Sequence, residues 1–220
     1  MHYHLEIIMP PTDDVEGAVK EIMSPFDENR SDEDEDGSDK QHVFWDWWQI
    51  GGRYSARKLR AEIGAAQLDA FHALMTERKV TVSGFQAGKP ALEPVSQIPM
   101  VDQLWNETFP DSPIKQCPLF DHYKGTVGDV SLVSETPPGL TCAHLIVAVR
   151  SPFNGDKLKA EVMLETSVWN GVNYIDTTWD GTVRAAIEFH EKHIDRYKPE
   201  VQEIYSIKPD WLCVTVDYHS

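Results

Sequence analysis

The sequence predicts an α+β protein: an antiparallel or mixed sheet with helices on one face, an elaborated ferredoxin-like (split βαβ) arrangement. Three observations predict it. The chain opens and closes on strand-like runs, HYHLEIIM at 2–9 and WLCVTVDYHS at 211–220. Amphipathic helical patterns follow the first strand and precede the last. Between them, HLIVAVRS (144–151) and KAEVMLETSVW (159–169) flank the turn-forming pair Asn154-Gly155, the signature of a hairpin.

Each element has its local reason. In 2–9, Tyr3, Leu5, Ile7 and Met9 alternate onto one side, and Pro10-Pro11 ends the strand. Thr12 or Asp13 is placed to cap a helix whose stripe is Val15, Ala18, Val19, Ile22 and Met23, and Pro25 stops it. The stretch 27–39 then holds eight acids against one arginine, so about −7 of the net −16 sits there. Mutual repulsion and the lack of apolar groups make 27–40 an acidic flexible loop. HVFWDWWQI (42–50) reads as the second strand. SARKLRAEIGAAQLDAFHALMTERK (55–79) reads as one helix with Leu59, Ile63, Ala66, Leu68, Phe71, Leu74 and Met75 on its apolar side. From about 84 to 141, Gly and Pro break the pattern into a loop- and helix-rich insertion, with a short helix at 100–109. A helix over 178–197, capped at Thr178 or Asp180, presents Val183, Ala186, Ile187, His190 and Ile194 to the core. There is no internal repeat and no change of composition regime, so residues 1–220 read as a single α+β domain.

At 220 residues, 41% hydrophobic and 10% aromatic, the chain has ample material for a core. A net charge of −16 and a pI near 4.8 repel phosphate and anionic lipid, so no direct nucleic-acid binding and no membrane partner are expected. Cys117, Cys142 and Cys213 are odd in number and far apart, which points to a reducing compartment rather than a disulfide framework. No leader pattern opens the chain, and no stretch approaches the roughly 18 apolar residues of a membrane span. A soluble, cytoplasmic protein is expected.

Three constellations carry chemistry. In FWDWWQIGGRY (44–54), alternation puts Phe44, Asp46, Trp48 and Ile50 on one side and Trp45, Trp47 and Gln49 on the other. Asp46 needs a partner, and Arg53 is the nearest cation. The amides of Gly51 and Gly52, with Arg53, can cradle a phosphate or carboxylate, and Trp45, Trp47 or Trp48 can stack a base. The plainer alternative makes the indoles core and the glycines a tight turn. At the chain ends, His2, His4 and Glu6 share one face of the first strand, and Asp217 and His219 one face of the last. Imidazoles and carboxylates converging there would suit a divalent metal, the one cofactor the residues allow for; solvent-facing strand ends are the plainer alternative. In WNGVNYIDTTWDG (169–181), Asn170, Asn173, Asp176 and Asp180 crowd two tryptophans, either as a polar-ligand loop or as turn chemistry. CPLFDHY (117–123) adds Cys117, Asp121 and His122, a pattern too local to define a nucleophile.

FWDWWQIGGRY resembles a run of the form Trp-Asp-Trp-(Trp/Tyr)-x-(Ile/Val)-Gly-Gly-Arg-(Trp/Tyr) in an uncharacterised family of bacteriophage and mobile-element proteins. YHLEIIMPPTDD and WLCVTVDYHS resemble the ends of such proteins. The resemblance implies a phage accessory protein acting in the cytoplasm of a bacterial host, where inhibitors of defence and metabolism are common. It assigns no catalytic residue.

Three functions follow. The first is an acidic, non-catalytic binder or inhibitor of a basic surface on a host defence or nucleic-acid-handling complex, with Asp32, Glu33, Asp34, Glu35 and Asp36 at the contact. The second is a sponge or enzyme for a small phosphorylated nucleotide, held by Trp45, Trp48, Gly51, Gly52 and Arg53, with Asp176 or His219 for acid–base work. The third is a metal-dependent hydrolase built on His2, His4, Asp217 and His219.

Overall fold

Strand β1 (His2–Met9) is flanked on both sides, antiparallel by β8 (Leu212–His219) and parallel by β4 (His144–Arg150). The computed structural model describes residues 1–29, 44–63, 65–80, 98–112, 114–117, 126, 128–152, 155–165, 167–169, 174–176 and 182–220. They form two units, Met1–Tyr54 with Asp129–Ser220, and Ser55–Gly128.

In the first unit a six-stranded mixed sheet runs β2–β8–β1–β4–β5, where β2 is Trp47–Ile50 and β5 is Leu158–Glu165. The short β3 (Val130–Leu132) also pairs antiparallel with β8. A separate hairpin joins β6 (Ser167–Trp169) to β7 (Tyr174–Asp176). The mixed α+β class is as expected. The topology differs from a split βαβ unit, in which the hairpin strand separates the two parallel strands; here β1 and β4 are direct neighbours, Leu5 opposite His144 through Ile8 opposite Val147.

Helix α1 (Val15–Met23) begins at Asp14, whose side chain accepts the Gly17 N–H at 2.9 Å. The cap is therefore one residue beyond Asp13, and Thr12 instead accepts the Asp14 N–H. Ala18, Val19, Ile22 and Met23 are buried against Leu5, Ile7 and Met9 of β1 and Val214, Val216 and Tyr218 of β8. Burial of each of Val19, Ile22 and Met23 contributes roughly 1.5–3 kcal/mol. The opposite face is buried as well: in β4 every residue from Leu145 to Val149 is inaccessible, the continuous apolar run of a strand covered on both sides. On that second face β1 places His4, Glu6 and Ile8, all buried.

The β4–β5 hairpin forms as expected, with Arg150 opposite Leu158 and a bulge at Val147/Ala148. Gly155 (φ +70°) and Asp156 (φ +60°) take the left-handed conformations of its turn. Helix α5 (Val183–Ile194) buries the predicted Val183, Ala186, His190 and Ile194, and the Thr182 hydroxyl accepts the Ala185 N–H at its start. The expected caps Thr178 and Asp180 lie outside the described residues. Helix α6 (Pro199–Tyr205) has no counterpart in the sequence expectations. Pro199 opens it, the His190 Nε2 donates to the Tyr205 carbonyl at 2.9 Å, and Glu191 accepts the Ile207 N–H.

The described helices of the second unit, Ser55–Gly128, are α2 (Arg57–Glu62), α3 (Ala65–Glu77) and α4 (Ile98–Thr108). The single helix expected over 55–79 is thus two, with Gly64, the weakest helix former of the run, between them in sequence. Phe71, Met75, Val80, Val101, Leu104, Trp105 and Cys117 form its core. Among the described residues no helix is long and apolar enough to cross a membrane.

Candidate functional site

Antiparallel register brings the two chain ends together. His2 lies opposite His219, His4 opposite Asp217 and Glu6 opposite Thr215, while β2 adds Trp47 opposite His219 and Gln49 opposite Asp217. Because side chains alternate along a strand, these residues share the sheet face turned away from α1. The predicted gathering of His2, His4, Asp217 and His219 therefore exists in space. It is not a set of frayed ends.

Its internal order is pairwise. The His2 Nδ1 donates to Asp217 Oδ1 at 2.8 Å, and Asp217, only 1% exposed, takes the Arg53 backbone N–H on Oδ2 at 3.0 Å. His4 Nε2 lies 2.8 Å from Glu6 Oε1, and the same oxygen accepts the Thr215 hydroxyl at 2.7 Å; Cys213 Sγ is 3.3 Å from Oε2. His219 Nδ1 contacts Asp46 at 2.9 Å, with both side chains about two-fifths exposed. Rings complete the cluster. Tyr54 stacks on His4 at 4.8 Å and donates its hydroxyl to the His2 carbonyl, while His2 meets Trp47 and His219 edge-on at 5.8 and 5.3 Å.

Each imidazole thus has a carboxylate of its own instead of aiming with the others at one point. Among the described residues, no three His, Cys, Asp or Glu are arranged to hold a metal ion. The partner of Asp46 is His219, not Arg53, because the turn after Ile50 carries the arginine away: its side chain is exposed and only its backbone N–H reaches the cluster.

The tryptophan run departs from simple alternation. Trp45 bridges to Asp27 outside the strand and turns inward, its indole N–H donating to the Met23 carbonyl at 2.8 Å. Phe44, Trp48 and Ile50 pack on the same core, whereas Trp47 is 42% exposed. Gly51 and Gly52 of the expected anion cradle take φ of +72° and +56°, the left-handed region glycine enters freely, and the Gly51 N–H donates to the Thr215 carbonyl at 2.8 Å. The anion at this cradle belongs to the chain itself: the carboxylate of Asp217 sits against Gly52 and on the Arg53 amide.

The other candidates are placed as follows. Asp176 ends β7 opposite Ser167, in the hairpin apart from the main sheet. Asp32 to Asp36, Asn170, Asn173, Asp180, Asp121 and His122 lie outside the described residues. Cys117 is buried with its N–H on Asp102 at 2.7 Å. Thr215, Tyr54 and Asp46 went unpredicted as members of the cluster. Thr215 was legible only in that it shares the parity of Asp217 and His219 along the last strand, and Asp46 only as an acid in need of a partner. No known family, no curated protein and no solved structure matches the chain.

Proposed function

We propose that the chain is a phage-type accessory protein that acts in the bacterial cytoplasm as an acidic, non-catalytic binder of a basic surface on a host defence or nucleic-acid-handling complex. The observation that carries this reading is the internal use of the aromatic and anion-cradling groups. Trp45 and Trp48 are engaged with the core, the Gly51–Arg53 turn holds Asp217, and the three imidazoles of the cluster are matched by acids. What remains in surplus is negative charge, −16 in all, with Asp32 to Asp36 its densest part. Carboxylates standing in for phosphates steer such a protein to basic partners. A pull-down from bacterial lysate tests it: retention at low salt, steep loss at high salt, and loss on deleting residues 28–39 are expected. Salt-insensitive retention, or full retention by the deletion variant, removes the proposal.

A second reading, a small phosphorylated nucleotide as ligand, is favoured by one observation: Trp47, edge-on to His2 of the imidazole cluster, is exposed, and so is Arg53, whose amide is bound to Asp217. The base would stack on Trp47 rather than on Trp45 or Trp48. Nucleotides and cyclic dinucleotides would then raise the melting temperature of the wild type but not of Arg53→Ala. No stabilisation by any of them ends this reading.

A further inference from the structure

We infer that the second unit carries a receptor pocket for a single arginine side chain of a basic protein partner. This inference rests on the reading of the chain as an acidic binder and names an anchoring subsite for it. Where α2, α4 and the segment after α4 meet lies a cavity of about 300 Å³. That is the lower end of ligand-pocket volumes, roughly 300–1,000 Å³, a size suited to one side chain or a small molecule. Phe109 supplies the half-exposed aromatic wall. Trp105 stands behind it at a ring distance of 4.4 Å, fixed by an indole N–H bond to the Ile114 carbonyl at 3.1 Å.

The rim is acidic. Glu62 and Asp111 both line the cavity and are exposed, and neither has a hydrogen-bond or ion-pair partner among the described residues. Among the described residues, no lysine, arginine or histidine lines the cavity. Two unengaged carboxylates repel an anion, and a neutral apolar ligand gives them nothing to bind. A guanidinium meets both features: its flat face stacks on an aromatic ring while its N–H fork takes carboxylates. A lysine ammonium has the charge without the flat face. The chain's negative field draws basic partners toward this rim before any contact forms.

The test uses the full chain, titrated with acetyl-arginine amide and, separately, with its neutral citrulline analogue, and followed by amide NMR shifts. The expected result is saturable binding of the arginine compound alone, with shifts centred on 59–63 and 105–114. Glu62→Gln/Asp111→Asn should weaken it roughly tenfold or more, the effect of removing charge-assisted contacts. The control Asp69→Asn/Glu77→Gln, exposed acids of α3 away from the cavity, should leave it unchanged. Absence of saturation at millimolar arginine compound, equal binding of the citrulline analogue, or equal weakening by the control pair overturns the inference. Failure of the parent reading looks different: no basic protein is retained from lysate even at low salt. If the basic partner is retained equally by wild type and Glu62→Gln/Asp111→Asn, the pocket falls and the acidic-binder reading stands.

Discussion

Replacing Gly52 by alanine probes the junction on which the cluster depends. A β-carbon at Gly52 would stand 2.5 Å from both Cβ and Oδ2 of Asp217 and 2.6 Å from Gln49 Nε2, while the backbone sits at φ +56°. The left-handed conformation alone costs an alanine about 1–2 kcal/mol. The clash is more serious, because Asp217 is part of the sheet and its carboxylate must move. Moving it releases the Arg53 amide and the His2 imidazole, each such bond to a charged group contributing about 1.5–3 kcal/mol. Partial relaxation brings the expected total to about 3–5 kcal/mol, a large share of the roughly 5–15 kcal/mol that holds a domain together. Gly155→Ala is the internal control: φ is +70° but no described residue lies within 4 Å of the added methyl, so only the backbone term of about 1–2 kcal/mol applies. Native-state hydrogen exchange at the β1 and β8 amides reads the opening of this sheet by itself. Exchange should accelerate roughly two to four orders of magnitude in Gly52→Ala and about thirtyfold or less in Gly155→Ala. Equal effects of the two substitutions would refute the reasoning, since Asp217 would then be free to step aside.

Other substitutions separate inward from outward roles. Trp45→Phe removes the indole bond to the Met23 carbonyl and should cost about 1–3 kcal/mol of sheet stability, whereas Trp47→Ala, at an exposed ring, should cost less than about 1 kcal/mol; chemical denaturation ranks them, and the reverse order would contradict the placement of the rings. His219→Ala breaks a pair whose members are both well exposed, so exchange at β8 should change by less than about 1 kcal/mol. A Thr215→Val, Glu6→Gln double-mutant cycle should give a coupling of about 0.5–3 kcal/mol, because the hydroxyl meets a carboxyl oxygen at 2.7 Å in a site of zero exposure; additive effects would show that bond to be inconsequential.

How much of this was legible in the sequence depended on how local its cause was. The terminal strands, α1, the hairpin and the apolar face of α5 each arise from short-range periodicity, turn chemistry or capping, and each appeared where read. Phe44 and Trp45, expected within the second strand, fall outside β2 because Phe26 captures both their amides through its carbonyl, a contact between segments far apart in sequence. The polar strip was half legible. The alternation His2, His4, Glu6 against Tyr3, Leu5, Ile7 was visible, but it ordinarily marks a face open to water. Only the β1–β8 register shows that His4 and Glu6 are buried and matched by Thr215 and Tyr54. The neighbouring of β1 and β4 is likewise a pairing between distant strands, which periodicity within either strand does not encode.

That strip bears on function through what it leaves over. Burying polar groups on a sheet face is costly unless each finds a partner, and here the matching uses imidazole, hydroxyl and backbone donors from β1, β8 and the turn after β2. His2, His4, His219 and the Arg53 amide are all directed at carboxylates of the same chain. Such donors, once engaged, are poor material for an anion or metal site unless a ligand displaces their acids, and displacing the Asp217 carboxylate, 1% exposed, forfeits its bonds to the His2 imidazole and the Arg53 amide. Unengaged carboxylates such as Glu62 and Asp111 face no such obstacle. They are exposed and, among the described residues, unmatched, so a cation from outside gains a contact without breaking one. Recognition of a basic partner therefore asks less of this fold than capture of an anion does, which is the physical ground for ranking the acidic-binder reading above the nucleotide one.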